Sequence, residues 1–424
     1  MHISRRYENN SVNSIKNIQI DSEIGQLKSV ILKRPGLELE NLTPDSLQRL
    51  LFDDIPFLDV AQKEHDAFSE ILKSEGVRVS YLDQLFAESI INDQVKSSII
   101  NKVLVDAHIE DVKVAAALKE YLSSKDHFDL SQSLMWGIKK KELNLRGNSL
   151  HYLSSRKECF WLNPIPNLYF TRDPASVISG IVNINKMHSE TRNRESVFIE
   201  SILKFHPSFK KAKVLDSRLM NFSIEGGDIL ILNRNTIAIA ISERTSAYAI
   251  ESISKSLFNN KNISKYHEIN KVLVFDIPKT RSFMHLDTVF TQVDMGLYTM
   301  HSGAMNYSKV YKVTARGENE LLVSELTGSL QKILSKELDL SIKLINCGGV
   351  DPVHGEREQW SDGANTLAIR PGVVCVYNRN KITNRILEDN GIKVYSLPCS
   401  ELSRGRGGPR CMSMPIERAP LSWL

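Results

Sequence analysis

The chain has 424 residues, of which 42% are hydrophobic and 25% charged, a composition typical of a globular protein that buries a sizeable core. Its 54 basic and 50 acidic residues give a net charge of +4 without a dominant basic block, so neither nucleic acid nor a membrane surface is indicated as a partner. No signal-peptide pattern opens the chain, no window approaches the ~20 apolar residues of a membrane span, and the five scattered cysteines contain no C-x-x-C pair. We therefore expect a cytoplasmic protein with reduced thiols.

The first part of the chain predicts a strand at residues 27–32, a helix near 60–75 and a strand at 77–82. A different pattern follows. Residues 92–143 carry no strand signal, and their apolar residues recur at the three- and four-residue spacing of amphipathic helices. We expect an inserted helical domain at 87–148, with the α/β domain formed by residues 1–86 and 149–424.

The rest of the chain repeats one unit, in the order strand, strand, helix, strand. Its clearest copy predicts strands at residues 365–369 and 373–377, a helix at 380–390 and a strand at 392–397. Similar units begin near residues 168, 228 and 285, the last with a helix predicted at 318–334. Together with the first unit they make five, most of them about 50 to 60 residues long, and blades repeated around an axis would protect their sheet edges. A plain α/β domain is the alternative.

Four polar clusters lie at or near the starts of these units or just beyond the last one. Each has an ordinary structural explanation by itself, such as a turn, a core histidine or a buried thiol. If the units surround one axis, however, the clusters converge and bring together a nucleophile, an acid/base and orienting carboxylates. The clusters are residues 167–174, 225–228, 284–291 and 404–415.

These residues resemble the arginine deiminases, which belong to the guanidino-modifying superfamily of five-bladed β/α propellers. The resemblance runs nearly the full length of the chain, and the motif around Cys411 is its most specific part. It implies the helical insertion and the hydrolysis of L-arginine to L-citrulline and ammonia, the first step of arginine degradation. The other segments that carry it are residues 23–32, 50–57, 61–66, 242–245 and 358–363.

The resemblance also implies catalytic roles. Cys411 would attack the guanidinium carbon, and His285 would protonate the departing ammonia and then activate water. Glu225 would orient His285 and favour its protonated form. Asp173 and Asp287 would clamp the guanidinium nitrogens by charge-assisted hydrogen bonds.

Further residues are implied as ligands of the amino acid end of the substrate. Arginine side chains bind carboxylates through two parallel hydrogen bonds, which suits a substrate with an α-carboxylate. The implied roles are carboxylate binding by Asn167, Arg192 and Arg244, a slot wall at Phe170, a mobile loop at Gly405 and Arg406, and capping of the substrate amine by the backbone near Leu42. Asp228 would support the loop.

We expect no cofactor and no metal, because no cluster of histidine, cysteine and carboxylate residues has metal-ligand spacing. The expected partners are the small molecule L-arginine and copies of the same chain, in a dimer or a tetramer. The alternatives are another guanidino enzyme, such as an agmatine deiminase, and a catalytically silent arginine-binding paralogue. A papain-like protease is disfavoured because that family's local signature around the cysteine is absent.

Overall fold

The computed structural model describes residues 17–143, 145, 150, 153, 158–317 and 320–421, and it has a mixed α/β fold, as predicted. The predicted unit recurs in it. Two adjacent strands form an antiparallel hairpin, a helix follows, and a third strand returns parallel to the second. The strands are rich in β-branched residues on both faces, and most of them are buried, which explains why continuous apolar runs mark them in the sequence.

Five three-strand groups in the described residues share this arrangement, each with one antiparallel and one parallel pairing. In chain order they are Ala175–Ile178, Ile181–Ile184 and Lys213–Asp216; Ile229–Asn233, Thr236–Ile241 and Lys271–Asp276; Phe290–Asp294, Leu297–Met300 and Lys343–Asn346; Leu367–Arg370, Val373–Tyr377 and Lys393–Leu397; and Met414–Arg418, Leu27–Leu32 and Arg78–Tyr81. Lys309–Ala315 and Leu321–Leu326 extend the second group, and Ile138–Lys139 pairs with Phe160–Leu162.

The fifth group joins the two ends of the chain. Met414–Arg418 pairs antiparallel with Leu27–Leu32, which pairs parallel with Arg78–Tyr81. The last two strands were predicted from the sequence, but Met414–Arg418 was not. This pairing anchors the segment directly after Cys411 to the first strand of the chain.

One helix in each group connects the second strand to the third and buries its apolar face against the sheets. In Ala247–Asn259, for example, Ile250, Ile253 and Leu257 are buried at helical spacing, and Ser246 caps the first turn. The other connecting helices are Leu58–Ser74, Glu195–Phe205, Leu330–Leu338 and Lys381–Asp389.

The predicted helix at residues 318–334 is wrong in part. Residues 318 and 319 lie outside the described residues, Leu321–Leu326 is a strand, and the helix begins only at Leu330. The strand forms because its backbone pairs in register with Lys309–Ala315, a tertiary interaction that overrides local helical spacing.

Four helices occupy the region of the predicted insertion: Leu82–Glu88, Asp93–Asp106, Val112–Ser123 and His127–Trp136. Asn92, Asp111 and Asp126 cap the last three by accepting hydrogen bonds from first-turn backbone N–H groups. The first of these helices begins five residues before the predicted boundary at 87. Elsewhere in the described residues the helices are Leu37–Glu40, Leu47–Leu50, Ser302–Met305 and Pro352–Trp360.

Among the described residues, no helix combines the length and the apolar character that a membrane crossing requires.

Candidate active site

Most of the predicted site residues meet at one pocket. Nine of them line it: Asn167, Phe170, Asp173, Arg192, Arg244, His285, Gly405, Arg406 and Cys411. Glu225, Asp228 and Asp287 are fully buried and are not among the residues that line the pocket. Glu225 contacts the lining residue His285, and Asp287 contacts the lining residue Cys411. Arg194, two residues beyond Arg192, donates instead to the carbonyl of Asn163.

Short 3-10 turns before the hairpins position these side chains. Pro166–Tyr169, Gly226–Asp228 and Leu286–Thr288 each precede the first strand of a group. The turn at 226–228 needs its glycines for close approach: a Cβ at Gly227 would lie 2.7 Å from the His285 ring. Equivalent turns of three groups therefore deliver their polar residues to one place.

His285 lies between two carboxylates. Its Nε2 is 2.8 Å from Oε2 of Glu225, and its Nδ1 is 3.8 Å from Oδ1 of Asp173. Burial by itself would lower the pKa of His285, but the charges of Asp173, Glu225 and Asp228, together with the Glu225 hydrogen bond, raise it to about 9. The imidazole is therefore protonated at neutral pH and can donate a proton.

Glu225 is held as an anion. Burial opposes its ionisation, but the hydrogen bond with His285 and the charges of Arg192 and Arg244 keep its pKa well below the ordinary value. Its other oxygen accepts a hydrogen bond of 2.9 Å from the backbone N–H of His188. These contacts fix the carboxylate against His285, which is the arrangement predicted from the sequence.

The Cys411 thiol is buried and lies among acidic groups. Its Sγ is 3.7 Å and 3.6 Å from the two carboxylate oxygens of Asp287. Burial and the charges of Asp287, Asp173 and Asp362 raise the pKa of Cys411 well above its ordinary value, and Arg410 opposes them only in part. Without an added cation, the thiol is the stable form.

The two predicted clamping aspartates each already bind one arginine. Oδ2 of Asp173 accepts a hydrogen bond of 3.0 Å from Arg192, and Oδ2 of Asp287 accepts one of 2.7 Å from Arg410. Among the described residues, Oδ1 of Asp173 is a buried carboxylate oxygen with no hydrogen-bond partner. A buried acceptor of this kind favours binding of a donor from outside.

The arginines of the pocket differ in what they bind. Arg192 is held by Glu195 through two hydrogen bonds of 2.8 Å, and its carboxylate neighbours raise its pKa well above the ordinary value despite burial. In the described part of the chain, by contrast, Nε of Arg244 and both Nε and Nη1 of Arg406 are buried donors without a hydrogen-bond partner. Arg406 stacks over the Trp360 ring, with its guanidinium carbon 3.5 Å from the ring centroid. Two arginines thus offer donors to an anion.

The structure corrects the predicted place of Leu42. Leu42 is buried in the same apolar cluster as Leu39 and Leu50 and does not line the pocket. Leu51 lines it instead, in the left-handed conformation with φ of 60°, which ends the short helix Leu47–Leu50. The segment at residues 50–57, which carries part of the family resemblance, was the available signal.

Sequence reasoning also missed Arg281, Met284 and Thr288, which line the pocket, and Asn365, which contacts Cys411. Arg281 forms an ion pair of 2.7 Å with Asp53 at the edge of the pocket. Asn365 had been interpreted only as the start of a strand. Met284 and Thr288 lie in the polar cluster at residues 284–291, which was the available signal. No local pattern distinguishes Arg281 and Asn365, because their positions result from contacts between distant parts of the chain.

Asp173, Glu225 and His285 each present a metal-ligand atom, all within 4.8 Å of one another. The group is already balanced by charge, since Arg192 lies 3.0 Å from Asp173 and 3.7 Å from Glu225. A metal ion would have to displace the His285 proton and face the Arg192 cation. The absence of a metal from the mechanism stays a prediction.

Solved structures share this fold at low sequence identity. An amidinotransferase of the saxitoxin biosynthetic pathway from Microseira wollei is 14% identical, with 96% of this chain and 99% of that chain covered and a TM-score of 0.54. The N-terminal domain of an ArgZ variant, covalently bound to a reaction intermediate, is 12% identical, with 92% and 98% covered and a TM-score of 0.52. At such identities the likeness establishes the fold. The fold and the site thus define an α/β protein with a buried cysteine, histidine and carboxylate centre.

Sequence comparison identifies the family. The arginine deiminase family profile matches residues 48–418. The arginine deiminase of Bacillus thuringiensis subsp. konkukian is 49% identical over 410 residues, and that of Clostridium perfringens is 46% identical over 411; each alignment covers 95% of this chain and 98% of the relative. The chain belongs to the arginine deiminase family, which confirms the resemblance found in the sequence.

Proposed function

We propose that the chain hydrolyses L-arginine to L-citrulline and ammonia through a covalent intermediate on Cys411. The observation that carries this proposal is that three groups meet around one pocket: the Cys411 thiol, the protonated His285, and Oδ1 of Asp173, which accepts no hydrogen bond from the described residues. The family's name supplies the substrate, and the site supplies groups whose chemistry suits it.

In the first step, the substrate guanidinium binds beside Asp173 and Asp287, and its positive charge offsets the two carboxylates that hold Cys411 in the thiol form. The thiol proton leaves to solvent, and the thiolate electron pair forms a bond to the guanidinium carbon. His285 then gives its proton to one nitrogen of the tetrahedral adduct. The carbon–nitrogen bond breaks, ammonia departs, and a thiouronium cation remains on Cys411.

In the second step, water replaces the ammonia. His285 is now neutral and takes one proton from the water as its oxygen bonds to the thiouronium carbon. The second tetrahedral adduct collapses, the carbon–sulfur bond breaks with its electron pair returning to Cys411, and the hydroxyl proton leaves to solvent. Citrulline is released, Cys411 takes a proton from solvent and returns to the thiol form, and His285 has recovered its proton.

The substrate carboxylate is proposed to bind Arg244 and Arg406. Among the described residues, Nε of Arg244 and both Nε and Nη1 of Arg406 are buried donors without a hydrogen bond, although Glu243 lies 3.4 Å from the first arginine and Asp53 4.0 Å from the second. Buried donors that lack a hydrogen bond favour an anion. Both terminal nitrogens of Arg192, by contrast, are already hydrogen-bonded to acidic side chains. Arg192 would then not bind the substrate carboxylate. It would keep its hydrogen bond to Asp173, which holds that carboxylate in position, and contribute positive charge to the pocket. Asn167 and Phe170 would complete the slot, and the Leu51 backbone takes the role that was predicted for Leu42.

Several broader predictions are part of the proposal. The five strand groups would surround one axis as a five-bladed propeller formed by residues 1–86 and 149–424, with residues 87–148 inserted as a helical domain. The pairing of Met414–Arg418 with Leu27–Leu32, which joins the chain ends in one sheet, supports such closure. We also propose a cytoplasmic homo-oligomer, a dimer or a tetramer.

The test combines trapping with substrate comparison. During turnover, an acid quench and peptide mass analysis should find the mass of arginine less ammonia on the Cys411 peptide. Cys411→Ala should lose both adduct and citrulline but still bind arginine, whereas Cys399→Ala, a buried loop cysteine, should keep both. Agmatine lacks the carboxylate and should be a very poor substrate, since an unpaired buried charge commonly costs ~2–5 kcal/mol. An adduct on another cysteine, or equal turnover of agmatine, would refute the proposal.

A further inference from the structure

Asn365 is fully buried and connects the nucleophile loop to the strand group that carries Asp287. Its Nδ2 donates to Sγ of Cys411 at 3.1 Å and to the backbone carbonyl of Asp287 at 3.0 Å. Its Oδ1 accepts from the backbone N–H groups of Arg410 at 3.1 Å and Cys411 at 3.2 Å. Both donors and both acceptor positions of the amide are therefore used.

This network fixes which end of the amide faces the sulfur. If the amide were turned over, its NH2 group would face two backbone N–H donors, and its oxygen would face the carbonyl of Asp287. That arrangement would lose three of the four hydrogen bonds and bury unsatisfied groups. The donor end of Asn365 therefore points to Cys411.

The loop is built closely around this side chain. Gly408 lies so near that a Cβ there would meet both the backbone oxygen and Oδ1 of Asn365 at 2.8 Å. The absence of a side chain at Gly408 is what lets the loop approach the amide. The contact between Asn365 and Cys411 thus depends on the close packing of two segments, the one that contains Asn365 and the loop that contains Gly408 and Cys411.

The electrostatic surroundings show why such a donor is needed. The charges of Asp287, Asp173 and Asp362 disfavour a thiolate at Cys411, and the cation Arg410, which opposes them, is already bound by Glu23 and Asp287. In the described part of the chain, Asn365 is the side chain that donates a hydrogen bond to Sγ. It is neutral, so it stabilises negative charge on sulfur without repelling the substrate cation.

We propose that Asn365 is a further catalytic residue, whose amide N–H stabilises the Cys411 sulfur as a thiolate when it attacks and again when it leaves. This inference rests on the proposed role of Cys411 as nucleophile. The amide is neither protonated nor deprotonated in the reaction, and its hydrogen bond acts where charge develops, as the donors of an oxyanion hole do.

The test uses two substitutions with opposite consequences for the loop. Asn365→Asp keeps an acceptor for the two backbone N–H groups but loses the donor to sulfur, whereas Asn365→Ala loses both without adding charge. A donor role predicts that kcat falls by about 10- to 100-fold in each, because a hydrogen bond to a charged group is lost. A purely structural role predicts instead that Asn365→Ala, which adds no charge beside the sulfur, keeps the parental pH dependence of Cys411 reactivity.

The pH dependence of Cys411 alkylation by iodoacetamide provides the second readout. Its midpoint should rise by about one pH unit or more in both variants, corresponding to at least a tenfold smaller thiolate fraction. Thermal unfolding and arginine binding in the Cys411→Ala background should remain close to the parent. Asn384→Asp is the control, since it removes another buried amide donor, one that binds the Tyr377 carbonyl, and should leave alkylation unchanged.

The possible outcomes separate the two proposals. If Asn365→Asp keeps kcat within about threefold, or if the alkylation midpoint does not move in Asn365→Ala, the donor role is refuted while Cys411 can still form its adduct. If Asn365→Ala does not fold, the Asp variant decides, because it retains the loop contacts. If the parent protein forms no adduct on Cys411, the proposed function itself fails.

Discussion

Replacing Glu225 with glutamine would test whether this carboxylate keeps His285 protonated. The side chain keeps its size and can still accept a hydrogen bond, so the expected effect is electrostatic. In the parent, the carboxylate lies 2.8 Å from Nε2 of His285, and both groups are buried. The substitution removes the negative charge next to the imidazolium.

The structure sets the magnitude. The rise of the His285 pKa from 6.5 to about 9 corresponds to roughly 3 kcal/mol in favour of the protonated ring. Asp173, Glu225 and Asp228 share this effect, and Glu225 contributes both a charge and a hydrogen bond. A hydrogen bond to a charged group is worth ~1.5–3 kcal/mol, so Glu225→Gln should lower the pKa of His285 by roughly one to two pH units.

The assay is kcat/KM for citrulline formation across the pH range, together with NMR titration of His285 in the Cys411→Ala background. Protonated His285 must give its proton to the leaving ammonia, so activity is lost as pH rises through the His285 pKa. In the parent this alkaline decline should be centred near pH 9, and in Glu225→Gln it should move to roughly pH 7 to 8. The loss relative to the parent should therefore grow with pH.

Glu88→Gln is the matched control, because Glu88 and His206 form a similar pair at 2.9 Å outside the pocket. That variant should keep the parental pH profile. An unchanged alkaline decline in Glu225→Gln, with kcat within about twofold of the parent, would refute the reasoning about His285. If the alkaline decline in activity moved in both Glu225→Gln and Glu88→Gln, the shift would not be specific to the pocket.

Two further expectations concern metal removal and stability. Exhaustive chelation should leave activity intact, because Arg192 and the His285 proton already balance the carboxylates of Asp173 and Glu225; loss restored by one divalent ion would contradict this. Glu23→Gln should lower the free energy of unfolding by ~3 kcal/mol at neutral pH, since Arg410 would lose one of its two buried carboxylate partners, the one at 3.0 Å. The pKa of Glu23 is lowered from 4.5 to about 2, so this stabilisation is present above about pH 4.5 and is lost as pH falls towards 2. In urea unfolding, the difference in the free energy of unfolding between the parent and Glu23→Gln should be smaller by roughly 2 kcal/mol at about pH 3 than at neutral pH. A difference that does not change with pH would argue against the ion pair.

Local patterns in the sequence predicted much of the repeated unit. The hairpin at Ile229–Asn233 and Thr236–Ile241 has a turn between two apolar runs, and the helix Ala247–Asn259 has a cap and a buried stripe. The strand Met414–Arg418 has no such signal, because it contains Pro415 and two charged residues. It becomes a strand through pairing with the opposite end of the chain, which local periodicity cannot reveal.

The candidate site likewise contains residues that the sequence predicted and residues that it did not. Asp173, Glu225, His285 and Asp287 were predictable because each lies in a polar cluster at the start of a unit. Leu42 was predicted to cap the substrate amine, but Leu51 lines the pocket, and its position depends on a backbone turn with φ of 60° that no residue pattern announces. Asn365 was missed because an asparagine before a strand is ordinary, and its importance lies in contacts to residues 45 and 46 positions later.

A cysteine nucleophile buried among acidic groups is at first sight poorly placed, since each carboxylate opposes the thiolate. The charge pairing around it explains the arrangement in the proposed reaction. Arg192 occupies one oxygen of Asp173 and Arg410 one oxygen of Asp287, which leaves Oδ1 of Asp173 without a described hydrogen-bond partner. A bound guanidinium cation supplies the positive charge that offsets these carboxylates, so the thiolate forms mainly when the substrate is present. The same carboxylates that suppress the free nucleophile therefore bind the group that it attacks, and substrate recognition and activation of Cys411 become one electrostatic event.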